Sequence, residues 1–370
     1  MPAIELLIGF HLFILAMLAL DLGVFQRKAH KVSIREAAAW TIVWGTLAML
    51  FAAGIWQFWD HIFPEKPGLG TDKAIEFVTG YVVEISLSVD NLFVFLVIFR
   101  YFGVPEHLRH RVLFWGILGA VIMRATFILL GGALLAAFHW MIYVFGVILI
   151  WTAIKLLRSG DEEVDVEKNF LLRLARRYLP VVNNYDSPTF WVYREEKNGE
   201  ARPDDGAGES TTATPGKKGR WYATPLPLVL LVVESTDVVF AVDSIPAIFG
   251  ITRDIFIVYT SNIFAVLGLR AMYFLLAGVL SMFRYLKIGL SFVLMFVGLK
   301  MLTEGYLPLK EWGIGQTEKI LISLGMIVFI LATSVVASLI AGPAEEHHEE
   351  PAEEPRAEAE EAQPRFSEES

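Results

Sequence analysis

The sequence has 370 residues and contains no cysteine. Disulfide bridges, thiolate metal ligands and cysteine nucleophiles are therefore excluded. A basic excess is also missing, since Lys and Arg number 31 against 40 Asp and Glu, for a net charge of −9. Residues 341–370 hold eleven Glu and two Arg and carry this whole charge, so the rest of the chain has 29 acids and 29 bases. Binding to nucleic acid is not indicated.

Apolar residues are abundant and make up 55% of the chain. Runs near the ~20 residues that a bilayer-spanning helix needs occur nine times, which predicts a polytopic membrane protein. The N-terminus lacks the basic region of a signal peptide, so we expect the first run to be a retained span. The runs lie at about residues 4–25, 38–59, 75–99, 112–135, 139–157, 224–249, 255–280, 285–303 and 317–340.

The loops between these runs differ in charge. Lys and Arg concentrate after the first, third and seventh runs, whereas the intervening loops are short or acidic. By the positive-inside rule, the N-terminus is expected outside and the C-terminus in the cytoplasm.

Two of the runs carry related acidic motifs. Residues 84–91 read Glu-Ile-Ser-Leu-Ser-Val-Asp-Asn, and residues 237–244 read Asp-Val-Val-Phe-Ala-Val-Asp-Ser. In both, an acid is followed after five residues by an Asp and a polar residue, and a further acid precedes the second motif. Acids inside a membrane span are costly and by default indicate a functional site. The candidate site residues are Glu84, Asp90, Asn91, Glu234, Asp237, Asp243 and Ser244.

The repetition extends beyond the acidic motifs. Residues 124–132 resemble residues 270–278, and residues 154–157 resemble residues 299–302, so spans three to five recur as spans six to eight. Because each unit has three spans, an odd number, consecutive units enter the membrane in opposite directions. This is the inverted repeat of secondary transporters. We therefore expect an all-α polytopic membrane bundle of about nine helices, with the site at the midplane where the repeats meet.

The repeat divides the chain into units. Residues 1–157 are expected to hold spans one to five, with the first repeat at 75–157, and residues 158–223 to form a cytoplasmic insertion. Residues 224–303 hold the second repeat and residues 304–340 the ninth span. The glutamate-rich residues 341–370 are expected to be a disordered tail.

The insertion contains two local patterns. Residues 169–179 read as a basic amphipathic helix that would lie on the anionic inner leaflet. Residues 190–194 and 220–224 are expected to pair as a hairpin, with a Gly-, Pro- and Ser-rich linker between them.

The charge balance of the spans favours a cation. The spans contain five acids of the motifs and two mid-span arginines, Arg124 and Arg270. The two arginines occupy matching repeat positions and act either in gating or as static counter-ions. Carboxylate, amide and hydroxyl oxygens without Cys or a nearby His suit Mg²⁺, Ca²⁺ or Mn²⁺ and argue against Zn²⁺. Pro246 is expected to break the helix locally and add a backbone carbonyl beside Asp243. Any single acid also has a purely structural interpretation.

At these residues the chain resembles the TerC family of integral membrane proteins, which is named for tellurium resistance and related to the LysE-type exporters. The matching stretches are residues 84–95, 222–227, 234–250 and 260–278. The resemblance implies a plasma (inner) membrane protein that exports manganese, linked to tellurite resistance and metal stress. It implies metal ligands at Glu84, Asp90, Asn91, Glu234, Asp237 and Asp243.

Two function classes follow. The first is a manganese exporter, which is not an enzyme and holds no permanent cofactor; its partners are the metal ion and the bilayer. The second is a membrane scaffold or assembly factor, since some members of the family look like helpers of membrane-protein insertion. An intramembrane aspartyl protease is disfavoured because its Gly-x-Gly-Asp motif is absent.

Overall fold

The computed structural model of the chain describes residues 8–17, 33–65, 67–158, 167, 169–178, 180–181, 185, 189–195, 219–277, 285–303 and 315–342. These residues form a bundle of α-helices with one two-stranded antiparallel sheet. Eight of the described helices are long and apolar enough to cross a membrane. The prediction of an all-α polytopic membrane bundle is confirmed.

The predicted spans two to nine coincide in order, and closely in extent, with eight of the helices. The first predicted span is described only as the short helix α1, and the rest of it lies outside the described residues. The helices are α1 (Ile8–Met17), α2 (Ile34–Ile62), α3 (Gly70–Tyr101), α4 (Glu106–Ala137), α5 (Met141–Arg158), α6 (Phe170–Tyr178), α7 (Pro225–Phe249), α8 (Ile255–Ala277), α9 (Leu286–Thr303) and α10 (Gln316–Ala341). The strands are β1 (Trp191–Glu195) and β2 (Gly219–Ala223).

The two repeats, α3 to α5 and α7 to α9, interlock. Helix α3 packs on α8 as α7 packs on α4, and each helix also contacts its own counterpart: α3 meets α7, α4 meets α8 and α5 meets α9. Contacts that come in such pairs are expected when two copies are related by a pseudo-twofold axis. The helix packing therefore has the symmetry that the sequence repeat predicts.

Glycines let α5 and α9 approach closely. A Cβ atom on Gly146 would lie 3.0 Å from the carbonyl oxygen of Gly298, and a Cβ atom on Gly298 would lie 2.9 Å from the carbonyl oxygen of Gly146. Small residues at such contacts are typical of membrane helices, which associate by close packing because lipid offers no hydrophobic driving force between them.

Helix α8 lies at the centre of the bundle. In an apolar stretch of 18 residues taken from each helix, 83% of the α8 stretch is buried, compared with 22% for α2 and for α10, which lie at the periphery. Phe264 of α8 packs against Phe51 of α2 and Phe77 of α3, with ring centroids 4.9 and 5.8 Å away. A helix that is apolar all round must be enclosed by protein or lipid, and here the other helices enclose it.

The insertion contains both predicted elements. Strands β1 and β2 pair antiparallel, with Tyr193 opposite Trp221, and α6 lies within the predicted helix. Helix α6 packs along α7, and its predicted position on the inner leaflet stays a prediction. The amide of Asn169 donates to Ser235 Oγ of α7 at 2.7 Å, and beyond the other end of α6 the Ala223 N–H donates to the Pro180 carbonyl at 2.9 Å. Helix α6 therefore runs antiparallel to the first half of α7.

A further contact ties the insertion to the first repeat. The hydroxyl of Tyr185 donates to the carbonyl of Phe102, at the end of α3, over 2.6 Å. Burial raises the pKa of Tyr185 to about 12, so this donor keeps its proton at physiological pH. The predicted tail lies outside the described residues beyond Gly342, and its disorder stays a prediction.

Candidate functional site

The centre of the candidate site is Arg124, which is 0% exposed on α4. Its guanidinium forms ion pairs with Glu84 of α3 and with Asp237 of α7, the latter at 3.3 Å from Nη2 to Oδ1. Nη1 also donates to Oδ1 of Asn262, on α8, at 3.1 Å. One arginine thus joins the first acid of both motifs and four helices from the two repeats.

Local sequence explains why these side chains meet. Gly80 lies one turn before Glu84 on α3, and a Cβ atom there would lie 2.9 Å from Ser261 Oγ. The glycine lets α8 approach α3 closely, so that Asn262, the residue after Ser261, reaches the arginine. On α7, Asp237 lies on the buried face toward α4. A buried arginine is tolerated because carboxylates neutralise it and an amide accepts from it.

Glu234, one turn before Asp237 on α7, lies against the backbone of α4. A Cβ atom on Gly119 would overlap the Glu234 carboxylate, so only glycine leaves room for it in this arrangement. Glu234 is partly buried, and the charge of Asp237 acts on it. Glu234 and Asp237 thus both lie on the face of α7 toward α4.

The second acid of each motif has different neighbours. Asp243 is partly buried and accepts a hydrogen bond from the Thr152 hydroxyl of α5 at 2.7 Å, and the charge of Lys155 also acts on it. Asp90 is partly buried, and the charge of Lys287, on α9, acts on it. Each motif aspartate is thus influenced by the third helix of the other repeat, which again follows the pseudo-symmetry.

Several buried polar atoms at Arg124 and along the motif helices have no hydrogen-bond partner among the described residues. Those on α3 and α7 share the helix faces of the acids, since positions four and seven residues apart lie on one face. Leaving a buried polar atom unpaired costs ~1–3 kcal/mol, which an ion or water in contact with it would offset. The atoms at the ion pairs are Arg124 Nε, Glu84 Oε2, Asp237 Oδ2 and Asn262 Nδ2, and those one or two turns away are Ser88 Oγ, Asn91 Nδ2 and Ser244 Oγ.

Arg124, Glu84, Asp237 and Asn262 form a buried cluster whose formal charge is negative. Glu84 and Asp237 outweigh Arg124 by one unit, and Glu234 adds another when it is ionised. Among the residues that the structure describes, no three His, Cys, Asp or Glu side chains come together as a group that could hold a metal ion. The set of metal ligands inferred from the sequence therefore stays a prediction.

Arg270 occupies the repeat position that matches Arg124. It is buried on α8, with 3% of its surface exposed. The ion pairs with Glu84 and Asp237 are made by Arg124. For Arg270 the predicted gating or pairing role stays a prediction.

The predicted break at Pro246 is wrong. Helix α7 continues without interruption from Pro225 to Phe249 and contains Pro246. Proline removes one backbone donor, but three further residues continue the helix because their side chains are buried among the other helices. The two serines of the first motif differ in their bonding: Ser86 donates to the Val82 carbonyl at 2.6 Å, whereas Ser88 makes no such bond.

Sequence reasoning missed Asn262, Gly119 and Thr152. Asn262 is a polar residue in the middle of an apolar run, which is a usable signal. Thr152 gives no signal in the sequence, because a threonine hydroxyl in a membrane helix usually forms a hydrogen bond with the backbone of its own helix. The importance of Gly119 follows only from the position of Glu234 on a neighbouring helix.

A second polar cluster lies at the end of the bundle where α3 begins. Glu76, buried on α3, accepts hydrogen bonds from Lys73 at 2.8 Å and from the Thr252 hydroxyl at 2.5 Å, and Lys73 also pairs with Asp254 at 3.5 Å. These contacts join the start of α3 to the loop between α7 and α8. They line a cavity of about 770 Å³ that also contains His139.

Comparison with known proteins gives a consistent set of relatives. The sequence profile of the Integral membrane protein TerC family matches residues 69–346. The chain is 47% identical over 332 residues to "Uncharacterized membrane protein STKORF319" of Myxococcus xanthus, covering 90% of this chain and 91% of that protein. It is 41% identical over 329 residues to "Putative membrane-bound redox modulator Alx" of Escherichia coli strain K12, covering 89% and 92%. No solved structure matches the chain.

Proposed function

Because the chain belongs to the TerC family of integral membrane proteins, we propose that it exports a divalent metal cation, manganese, across the plasma membrane. The path runs through the buried cluster around Arg124, where the two repeats meet. The chain acts as a transporter, not as an enzyme, and the metal is its substrate. The N-terminus lies outside and the C-terminus in the cytoplasm.

The observation that supports this proposal is a buried, negatively charged cluster with unpaired oxygens. Asp237 Oδ2, at the cluster itself, is a hard ligand without a hydrogen-bond partner in the described part of the chain. Ser88 Oγ, one turn beyond Glu84 on α3, and Ser244 Oγ, two turns beyond Asp237 on α7, are further unpaired oxygens along the two motif helices. Oxygen ligands of this kind suit Mn²⁺, Mg²⁺ and Ca²⁺. A static packing role would favour a neutral cluster with every polar atom satisfied, because each unpaired buried group lowers stability.

In this mechanism Arg124 is the resident counter-charge. It holds Glu84 and Asp237 together when no metal is bound, so the buried acids are not left unneutralised. An entering divalent cation competes with the guanidinium for the same carboxylates and has twice its charge. Movement of Arg124 away from Asp237 would loosen α4 from α7, which connects metal binding to a shift of one repeat against the other.

The polar cluster at Glu76 closes the extracytoplasmic end of the proposed path. Its contacts tie α3 to the loop between α7 and α8, which are elements of different repeats. When the repeats shift, these contacts must break. The cavity beside them then becomes the exit on the extracytoplasmic side.

The second candidate function is a membrane scaffold, in which the Arg124 cluster only holds α3, α4 and α7 together. The observation in its favour is that Arg124 is completely buried and already paired with two acids. A thiol-based redox function is excluded for this chain because it has no cysteine.

The test is the metal content of cells that lack the protein and are complemented with variants. Asp237→Asn keeps the size of the side chain and removes the charge, whereas Asp60→Asn removes the same charge from an exposed position at the end of α2. Manganese measured by mass spectrometry should rise in cells with Asp237→Asn and stay at the wild-type level with Asp60→Asn, at equal abundance in the membrane. Wild-type manganese with Asp237→Asn would favour the scaffold. A rise of another divalent metal alone would correct the substrate.

A further inference from the structure

We propose that α6 is a half-height helix embedded in the leaflet that holds the start of α7, with its arginines at the phosphates of anionic lipids. This interaction surface is independent of the transported ion. It lies in the insertion, which plays no part in the metal site.

The depth of α6 follows from the contacts beyond its two ends. Ser235, which accepts the bond from Asn169, is about 15 Å along α7 from Pro225, at ~1.5 Å per residue. Pro180, after the other end of α6, contacts Ala223 just before α7. Helix α6 has nine residues, a length of about 14 Å that fits between these levels. It therefore extends from the membrane surface toward the middle of α7.

The start of α6 is fixed in this position. Asn169 caps the helix, since its Oδ1 accepts the Leu172 N–H at 3.1 Å while its amide donates to Ser235. Leu172 and Ala175 are buried and form the face that docks on the bundle. The contact with Ser235 lies next to Glu234, so α6 is attached to the turn of α7 that carries the acids.

The surface of α6 divides into three sectors about 120° apart, at ~100° of rotation per residue. The first is the docked face. The second is apolar and exposed, and the third is basic and exposed. A helix beside a membrane protein with this pattern places the apolar sector against acyl chains and the basic sector at headgroups. The apolar sector is Phe170, Leu171, Leu174 and Tyr178, and the basic sector is Arg173, Arg176 and Arg177. Arg173 also interacts with another group of the protein, so the lipid contact is assigned to Arg176 and Arg177.

The strands beside α6 support the same placement. Trp191, Tyr193 and Trp221 are exposed on one face of the sheet, and the rings of Tyr193 and Trp221 lie 5.5 Å apart. Exposed Trp and Tyr are typical of the membrane interface, where an apolar ring and a polar edge are both accommodated. The sheet adjoins α6 through the contact between Ala223 and Pro180. Together they present aromatic, aliphatic and basic groups to the same leaflet.

The absence of native cysteine makes depth measurable, because any introduced cysteine is unique. The full chain with Leu174→Cys is labelled with a fluorophore, reconstituted in vesicles and quenched with lipids brominated in the acyl chain. Phe329→Cys on the exposed face of α10 gives the reference for lipid, and Glu65→Cys, exposed in the loop between α2 and α3, gives the reference for water. We expect Leu174→Cys to be quenched like Phe329→Cys. Quenching as weak as that of Glu65→Cys overturns the embedded helix.

The second arm tests the lipid charge. A label at Tyr178→Cys is quenched by brominated phosphatidylglycerol and, separately, by brominated phosphatidylcholine at the same mole fraction. We expect stronger quenching by the anionic lipid, and the preference should fall about fivefold for each arginine removed in Arg176→Gln and Arg177→Gln. These variants leave Leu172 and Ala175 intact, so docking is kept. Equal quenching by both lipids, or a preference unchanged by the substitutions, overturns the anionic-lipid contact.

Discussion

The Arg124 cluster allows its structural and functional contributions to be separated. The side chains of Arg124 and Glu84 are 0% exposed and that of Asp237 is 4% exposed. In Arg124→Gln both carboxylates stay buried without a counter-charge. Removing one partner from a buried ion pair costs about 3–5 kcal/mol, which is roughly two to three and a half orders of magnitude in the folding equilibrium.

The matched control is the neutral cluster, Arg124→Gln with Glu84→Gln and Asp237→Asn. It has similar shape and no buried charge, and replacing a buried ion pair as a whole is often close to neutral for stability. We therefore expect the triple variant to be more stable than Arg124→Gln, yet unable to lower cellular manganese. Comparison of the single and the triple variant thus distinguishes a folded, inactive protein from a destabilised one.

The assay is reversible unfolding by SDS in mixed micelles, followed by the fluorescence of the ten tryptophans. A loss of less than about 1 kcal/mol for Arg124→Gln, as found for exposed ion pairs, would refute the reasoning. So would a triple variant no more stable than the single one. A neutral cluster that still supports manganese export would remove the site from the proposed path.

Other predictions concern single positions. Gly119→Ala places a methyl group where the Glu234 carboxylate lies, so that side chain must move and export should fall, whereas Gly54→Ala, which meets nothing within 4 Å, should be tolerated; equal activity of both would contradict a role for the position of Glu234. Asp243→Asn should remove manganese resistance at normal membrane abundance, and wild-type resistance on manganese plates would exclude its charge as a ligand. Truncation after Gly342 should leave expression and resistance intact, since the acidic tail has no apolar pattern; loss of either, seen by blot and plate assay, would show that the tail is needed.

Much of the site could be predicted from sequence because charged groups in a membrane span are rare and costly. Glu84, Asp237 and Arg124 stood out for that reason, and the structure brings all three together. Asn262 was missed although it lies in an equally apolar run, because an amide is less costly there than a charge. The sequence placed Asp90 and Asp243 in the same candidate site, but the contacts of each depend on the rotation of its helix, which the sequence does not give.

The sequence by itself determined the order and the approximate bounds of the eight long helices that the structure describes, and their twofold repetition. The reason is local: a span must match the thickness of the hydrocarbon layer and satisfy its own backbone, so hydropathy alone defines it. The tertiary structure decided which acids face Arg124, that α7 continues through Pro246, and that α6 packs along α7. These depend on the rotation, depth and close approach of helices, which are set by packing between residues far apart in the chain.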